Sequence, residues 1–163
     1  MKKAALAVVV VASLAGAAAG RPMFHFEFPI DGLQETPPVA TPAFGTGVVD
    51  YNSNSNFLSW TITYSGLIGT INNAHFHGPA PVGVPAGVQL SIPFTAGLTA
   101  DTLVGSTSIS EAFETELLGG LWYVNIHSTF RPGGEIRGQV VPTPGALALI
   151  GAAGLLGIRR RRN

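Results

Sequence analysis

Apolar and polar residues alternate strictly in segment 24–28, where three phenylalanines are separated by His25 and Glu27. Because successive side chains of a strand point to opposite faces, this pattern predicts a β-strand with its phenylalanines inward and His25 and Glu27 outward. The polar passage 31–42 follows and contains Pro37-Pro38. Proline is confined to sheet edges and irregular connections, so we predict an edge or crossover segment there.

A hairpin is predicted from segments 45–51 and 57–64, which flank the five polar residues 52–56. Two β-type runs joined by a short polar turn are typical of paired antiparallel strands. Apolar side chains recur at every second position of the second run, so they share one face. The face predicted to be buried carries Leu58, Trp60, Ile62 and Tyr64.

The remaining middle of the chain is punctuated by glycine and proline, with short runs of β-branched and aromatic residues. This composition is typical of all-β proteins. It predicts an antiparallel, Greek-key-like β-sandwich or barrel of about eight strands. The further strands are predicted at 70–77, 88–92, 103–108, 121–127 and 135–141, with a long surface loop at 78–87.

One short helix is predicted over residues 111–118. Ser110 supplies a hydroxyl cap, acidic side chains follow in the first turn, and Gly119-Gly120 ends the helix. Acid–base catalysis needs a buried or charge-coupled carboxyl group, and this segment is short and expected to be exposed. We therefore interpret its three glutamates as a solvated face: Glu111, Glu114 and Glu116.

The N-terminal end has the composition of an export signal. Lys2 and Lys3 precede the apolar run 4–16, and the small residues 17–19 offer a cleavage site to a signal peptidase. We predict a signal peptide over residues 1–19 and export of the protein.

The C-terminal end is predicted to be a membrane segment. The thirteen residues 146–158 are almost wholly apolar and precede four arginines. As a helix they would span about 20 Å, less than the bilayer core of about 30 Å, which favours transient anchoring with the arginines on the cytoplasmic side.

Segment 142–163 resembles a PEP-CTERM sorting signal, in which Val-Pro-Glu-Pro precedes an apolar helix and an arginine cluster, although Thr143 replaces the usual glutamate. The resemblance implies an exosortase-type processing enzyme, exopolysaccharide or envelope components as partners, and a bacterial cell surface or secreted location. The residues that carry it are Val141, Pro142, Thr143, Pro144, Arg159, Arg160, Arg161 and Arg162.

Charge and motif content exclude several classes. Between the two ends, three arginines face nine carboxylates, so nucleic acid is not an expected partner. The absence of cysteine excludes disulfide scaffolds and thiolate metal sites. The sequence has no Gly-x-Ser-x-Gly elbow, phosphate-binding glycine loop or His-Glu-x-x-His motif, and we expect no enzyme activity.

Histidine is the residue type that offers most chemistry. His75 and His77 share one face of the strand predicted at 70–77, because strand side chains alternate. His127 occupies the corresponding polar face of the strand at 121–127. If these strands are neighbours, three imidazoles converge, and neutral imidazoles suit zinc or copper.

The alternative is that these histidines hydrogen-bond loop backbone and hold the 78–87 loop and the 132–134 turn in place. We favour this interpretation, because the sequence offers no identifiable fourth ligand. His25 is only a remote candidate ligand. No cofactor is predicted beyond this candidate copper or zinc.

Glu135 and Arg137 share a face of the last predicted strand. They are expected either to pair with each other, or to pair with Asn125 and a histidine across the sheet. Alternatively, Arg137 clamps the Glu35 carboxylate and so ties the proline-bearing passage to the last strand. A plain exposed ion pair of little consequence is the remaining interpretation.

Four blocks of sequence, in order, resemble a CHRD domain, the module first described in chordin and found in bacterial exported proteins. The resemblance covers residues 24–141 and implies an extracellular β-rich module with no established catalytic role. Growth-factor antagonism is not implied here, since the chain has no cysteine-rich repeats. The residues that match the family pattern include Glu35, His75, His77, Asn125, His127, Glu135 and Arg137, and the longest block is Ala74-His75-Phe76-His77-Gly78-Pro79-Ala80.

Two functions follow from these observations. The first is an exported, non-enzymatic module of the cell surface or exopolysaccharide matrix that acts by binding or scaffolding. The second is a metal-binding β-sandwich, holding copper or zinc and redox active with copper, built on His75, His77 and His127.

Overall fold

The structure is a computed structural model that describes residues 23–141. The predicted signal peptide, and the predicted sorting segment from Pro142 onwards, lie outside the described residues. Within 23–141, no helix is long and apolar enough to cross a membrane.

Antiparallel strands dominate the fold, and the all-β prediction with a single short α-helix in the described chain is confirmed. A 3-10 turn, Gly32–Gln34, follows the first strand. The regular elements are β1 (Met23–Asp31), β2 (Phe44–Asn52), β3 (Phe57–Ser65), β4 (Ile71–His77), β5 (Val88–Ser91), β6 (Asp101–Ser108), α1 (Glu111–Leu118), β7 (Trp122–Ser128) and β8 (Ile136–Val140).

The eight strands form one curled sheet in the order β5-β4-β7-β8-β1-β2-β3-β6. β1 and β2 pair along their whole length, whereas β1 and β8 are joined at one paired position, Asp31 with Arg137. We call this weakly paired junction the seam. It divides the sheet into two four-stranded halves, and because β1 and β8 are antiparallel, β1 begins and β8 ends towards the same end of the molecule.

Gly138 permits the close approach at the seam. A Cβ atom there would lie 2.6 Å from the Pro29 carbonyl oxygen and 2.7 Å from the Ile30 side chain. Real Cβ atoms do not approach backbone so closely, so glycine is required where β8 passes β1.

The core lies between the two halves. Trp60 of β3 meets Phe76 of β4 edge to face, with ring centroids 5.4 Å apart, and Phe76 also packs on Trp122 of β7 at 5.9 Å. Such pairs stabilise a core beyond the area they bury. The predicted buried face of β3 is confirmed, since all four of its side chains are buried: Leu58, Trp60, Ile62 and Tyr64.

The polar passage between β1 and β2 forms no strand, as its prolines predicted. The Asp31 carboxylate accepts hydrogen bonds from the backbone N–H groups of Leu33 and Gln34, at 2.8 and 3.1 Å, and so caps the 3-10 turn. The passage then crosses the outer face of β8, where Gln34 Oε1 accepts from the Gln139 N–H at 3.2 Å.

The solvated face predicted for α1 is wrong for two of its three glutamates. Glu114 is buried, and Glu116 accepts hydrogen bonds from Trp122 Nε1 at 3.0 Å and from Gln89 Nε2 at 2.7 Å. The helix packs against the sheet through Phe113, whose ring lies 5.4 Å from that of Trp122. The Glu116 carboxylate therefore fastens the helix to the sheet, and of the three glutamates only Glu111 is exposed as predicted.

Candidate metal centre

A polar layer covers the outer face of β4, β7 and β8. Strand pairing sets its side chains in two rows that run across the three strands, one of His75, Asn125 and Arg137 and one of His77, Tyr123 and Gln139. His127 extends the layer along β7. All of these side chains except His75 are buried, because the passage 34–36, the loop 78–87 and the turn 131–134 lie over them.

Three imidazoles converge in this layer, as the strand alternation predicted. One nitrogen from each of His75, His77 and His127 lies within 4.8 Å of the others. His75 Nδ1 is 3.2 Å from His127 Nε2, and the ring centroids of the three pairs are 5.1 to 5.9 Å apart. Within residues 23–141, no carboxylate joins the group.

Backbone carbonyls fix the orientation of two of the rings. His77 Nδ1 donates to the Ala86 carbonyl at 3.0 Å, and His127 Nδ1 donates to the Pro132 carbonyl at 2.9 Å. The predicted loop-holding role of these histidines is therefore seen for both. Each of these rings is left with an unprotonated Nε2, and His77 Nε2 is buried without a partner in the described chain.

His75 differs from the other two rings. Its Nδ1 donates to His127 Nε2, because that atom is the acceptor nitrogen of a ring whose proton is on Nδ1. Its hydrogen bonds within the described chain include no backbone carbonyl, and its side chain is only half-buried. His75 is thus the adjustable member of the cluster and the one that solvent reaches.

The surroundings keep all three imidazoles neutral. Burial, followed by the neighbouring His127 and His77, lowers the pKa of His75. Burial likewise lowers the pKa of His77 and of His127, against the opposing effect of their hydrogen bonds to carbonyls. Neutral imidazole is the form that can ligate a metal ion, so the three rings offer unprotonated nitrogens near neutral pH.

Tyr123 lies between His77 and Arg137. Its ring is parallel to the His77 ring, with an interplanar angle of 5° and centroids 5.0 Å apart, and the Arg137 guanidinium carbon lies 3.5 Å above its ring centroid. The Tyr123 hydroxyl accepts from the Ala86 N–H at 2.9 Å. This stack fixes the plane of His77 and attaches the 78–87 loop to β7.

Arg137 ties the proline-bearing passage to the last strand, but not through Glu35 as predicted. Its guanidinium donates to Thr36 Oγ1 and to Gln139 Oε1, both at 3.1 Å. No ion pair joins Arg137 to Glu35 among the described residues, although the two charges act on each other at longer range. The alternative prediction, an exposed ion pair of little consequence, is wrong as well, because Arg137 is only 2% exposed.

Glu135 does not pair with Arg137 either. Its carboxylate accepts hydrogen bonds from Thr41 Oγ1 at 2.6 Å, from the Ile68 N–H at 2.8 Å and from Ser128 Oγ. Burial raises the pKa of the Glu135 carboxyl, but these hydrogen bonds outweigh it and hold that pKa below its ordinary value. Glu135 is a buried anion that joins three segments of the chain.

Glu35 and Asn125 meet beneath Gly134. A Cβ on Gly134 would lie 2.5 Å from Glu35 Oε1 and 2.4 Å from Asn125 Oδ1, and the Gly134 φ of +131° also favours glycine. Both oxygens are buried without a hydrogen-bond partner in the described chain. Burial raises the pKa of Glu35 to about 7, against smaller opposing effects of Thr36, Arg137 and Asn125, so half of the Glu35 carboxyls are neutral near that pH.

Sequence reasoning missed Gln139, Thr36 and the role of Tyr123 as the spacer of the stack. Gln139 lies two positions after Arg137, so the alternation that placed Arg137 on this face also places Gln139 there. Its amide donates to the carbonyls of Ala80 and Gly120, at 3.0 and 2.8 Å. His25, the remote candidate ligand, lies outside this cluster on the exposed face of β1, where its Nδ1 is 2.7 Å from Asp50 Oδ1.

The comparison with known families agrees with the sequence blocks that pointed to this face. No curated protein and no solved structure matches the chain. The CHRD domain family matches residues 26–140, which is most of the chain and includes every residue of the polar layer described above. The chain therefore belongs to the CHRD domain family.

Proposed function

We propose that this protein is an exported, non-enzymatic module that binds one first-row transition-metal ion through His75, His77 and His127. The observation that carries the proposal is the convergence of three imidazoles, two of which, His77 and His127, donate their Nδ1 protons to backbone carbonyls and leave Nε2 unprotonated. Metal-binding histidines commonly use one ring nitrogen for the ion and donate the other to a carbonyl or carboxylate.

The spacing of the nitrogens fits such an ion. Two ligands at about 2.0 to 2.1 Å from a tetrahedral metal lie about 3.3 Å apart. The separation of His75 Nδ1 and His127 Nε2 is 3.2 Å, and the widest separation in the group is within 4.8 Å. To bind one ion, the three nitrogens must still move closer together. His75 is the ring that can make this movement, because no backbone carbonyl holds it. Its Nδ1 proton moves to Nε2 when Nδ1 becomes a ligand.

The ligand set favours copper over zinc. Imidazole binds both ions, and for a given set of nitrogen ligands Cu²⁺ binds more tightly than Zn²⁺. With three protein ligands the ion keeps an open position, which is typical of reactive and exchangeable sites rather than closed structural ones. The half-exposed His75 places that opening towards solvent.

The setting is the outside of the cell. The basic and apolar start of the chain supports export, and the apolar segment 146–158 with its arginines supports processing by an exosortase-type enzyme. A cell-surface or secreted module of the envelope or exopolysaccharide matrix, acting by binding, follows from these two ends. Membership of the CHRD family agrees with a β-fold binding module.

Metal titration of protein purified without a histidine tag tests the binding function. We expect one Cu²⁺ or Zn²⁺ per chain by calorimetry and elemental analysis, and none in the His75→Ala/His77→Ala/His127→Ala variant. His25→Ala is the matched control, because its ring lies outside the cluster. A folded wild-type protein that binds no metal, or a triple variant that still binds one, contradicts the proposal.

Acid should release the ion. Protons compete for the same three nitrogens, so we expect metal affinity to fall as pH drops below 6.5 towards the lowered pKa values of the cluster. Metal occupancy measured by dialysis from pH 8 to pH 5 checks this, and a pH-independent occupancy would argue for other ligands.

Cell fractionation tests the location. We expect a mature chain that begins near Gly20, found in the envelope or medium. The intact 163-residue chain, recovered from the cytoplasm with neither end removed, would contradict export.

A further inference from the structure

The charge around the three imidazoles bears on which ion they favour. We propose that the site holds copper as Cu⁺ in preference to Cu²⁺, and that the buried Arg137 contributes to this preference. The inference rests on the proposed metal function and names the oxidation state of the ion that the site retains.

The ligands themselves carry no negative charge. Nitrogens of His75, His77 and His127 converge within 4.8 Å, and no carboxylate of residues 23–141 joins them. The chain has no cysteine that could add a thiolate. The charge of a bound ion is therefore not compensated by its ligands. Because an uncompensated buried charge is costly, a singly charged ion is easier to hold here than a doubly charged one.

The groups behind the ligands do not supply negative charge either. Metal-binding histidines often donate their other ring nitrogen to a carboxylate. Here His77 and His127 donate instead to neutral carbonyls, those of Ala86 and Pro132, at 3.0 and 2.9 Å. Both of these rings are also more than nine-tenths buried. Limited access of water enlarges the electrostatic difference between the two ions.

Arg137 adds a positive charge next to the cluster. It is almost fully buried, and no ion pair joins it to a carboxylate within residues 23–141. Its guanidinium carbon lies 3.5 Å above the ring centroid of Tyr123, and that ring lies parallel to His77 with centroids 5.0 Å apart. Glu35 offsets only part of this charge near neutral pH, because burial raises the pKa of its carboxyl to about 7. The guanidinium therefore disfavours Cu²⁺ more than Cu⁺.

The number of ligands also favours Cu⁺. Cu²⁺ prefers a square-planar or tetragonal set of nitrogen and oxygen ligands, which needs at least four donors. The cluster offers three nitrogens within the described chain. Cu⁺ has a filled d shell, like Zn²⁺, and so imposes no such geometry.

The change of oxidation state needs one electron and no new bond to the protein. An external reductant, such as ascorbate or a thiol, supplies the electron to bound Cu²⁺, and the same three nitrogens hold the Cu⁺ that results. The ratio of the two affinities sets the reduction potential of the bound ion. Each tenfold preference for Cu⁺ raises that potential by about 59 mV above that of the free ion.

Competition titrations of the wild-type protein measure the preference. The Cu⁺ affinity is measured without oxygen, in ascorbate, against the chelator bicinchoninate, and the Cu²⁺ affinity is measured against nitrilotriacetate. We expect Cu⁺ to bind at least about tenfold more tightly, which corresponds to a potential at least about 59 mV above that of the free ion. A smaller preference, or tighter binding of Cu²⁺, overturns the proposal.

Variants of two arginines test the contribution of the buried charge. Arg137→Gln should lower the preference for Cu⁺ about tenfold, as expected for one charge acting across an aromatic ring at an effective dielectric constant of about 20. Arg137→Lys keeps the charge and should retain most of the preference. Arg131→Gln is the matched control, since Arg131 is exposed. Equal preferences in wild type and Arg137→Gln, or equal losses in Arg137→Gln and Arg137→Lys, contradict an effect of charge.

The failure of this inference can be told apart from failure of the metal function. Stoichiometric copper that is lost in the triple histidine variant, but with Cu²⁺ bound more tightly than Cu⁺, overturns the preference and leaves metal binding intact. Absence of both ions from folded wild-type protein overturns both. The wild-type comparison needs no variant, so it decides the preference even if Arg137→Gln does not fold.

Discussion

Strands β1 and β7 carry the same alternation of apolar and polar residues, but they differ in what covers their polar sides. In β1, His25 and Glu27 face solvent while Phe26 and Phe28 are buried. In β7, every residue is buried, including the polar side chain of Asn125. The inner faces of the two strands serve the same core, and only the β7 half has a second, polar layer outside it.

This difference shows which half of the sheet carries the free-energy cost of buried polar groups. Burying polar and charged groups is unfavourable unless each is hydrogen-bonded, and a solvated outer face would avoid the problem. The β4-β7-β8 half instead buries a glutamate and an arginine beneath loops, Glu135 and Arg137. Buried charged side chains on an outer face indicate a functional site, whereas the exposed polar side chains of β1 are ordinary surface residues.

We expect the largest difference in stability between variants of two carboxylates, the buried Glu135 and the exposed Glu27. Glu135→Ala removes an acceptor of three hydrogen bonds, and hydrogen bonds to a charge contribute about 1.5 to 3 kcal/mol each, so we expect a loss of at least about 4.5 kcal/mol in unfolding free energy. Glu27→Ala, on the solvated face of β1, should change it by less than about 0.5 kcal/mol. Urea denaturation measures both, and Glu135→Gln provides a milder variant if Glu135→Ala does not fold. Equal effects at the two positions would remove the distinction between the halves.

Arginine gives the next contrast. Arg137→Ala loses its hydrogen bonds to Thr36 and Gln139 and its contact with Tyr123, for which we expect about 3 to 4 kcal/mol. The exposed Arg131→Ala should cost less than about 0.5 kcal/mol. Thermal unfolding compares them, and an unchanged melting temperature in Arg137→Ala would show that the passage is held by other contacts.

The third prediction concerns how the contribution of Glu35 to stability changes with pH. Its folded pKa of about 7 lies above the ordinary value of 4.5, so its contribution to stability is fully present below pH 4.5 and is lost as pH rises through 7. At 1.36 kcal/mol per pH unit, the loss amounts to about 3 kcal/mol at most. Glu35→Gln should therefore gain stability relative to wild type between pH 4.5 and 8. A difference between the two proteins that does not change with pH would contradict the raised pKa.

Histidine gives the smallest contrast. His127→Ala leaves the Pro132 carbonyl without its donor, and we expect a loss of about 1 to 2 kcal/mol in metal-free protein. His25→Ala removes an exposed contact with Asp50 and should cost less than about 1 kcal/mol. Hydrogen exchange in the turn 131–134 should quicken in the first variant alone, and the same change in both would show that the turn does not depend on His127.

The fold was largely predictable because it follows from local patterns. Alternation placed β1 and β3, the polar residues 52–56 placed the hairpin, and short β-branched and aromatic runs between glycines and prolines placed the other strands. Ser110 with Gly119 placed the helix, where the Ser110 hydroxyl accepts from the Phe113 N–H at 3.4 Å. The same alternation placed the three imidazoles on one face. Distances between them required strand order, which no local pattern contains.

The partners of the buried charges were not predictable for the same reason. Arg137 donates to Thr36 from 101 positions away, and Thr41 donates to Glu135 from 94 positions away. A charge rule favours Glu35 as the partner of Arg137, but packing leaves that carboxyl beneath Gly134 instead. The helix glutamates were misjudged because exposure depends on which face of α1 meets Trp122.

The seam between β1 and β8 has a mechanical consequence. β1 begins and β8 ends towards the same end of the molecule, so a load applied between Met23 and Val141 would pull the two strands apart at their single paired position rather than shear many hydrogen bonds at once. Each strand remains firmly paired on its other side, with β2 and with β7. Tension along the chain would therefore part the sheet first at Asp31 and Arg137, and would loosen the contact between Arg137 and Thr36 before either half lost its own pairing.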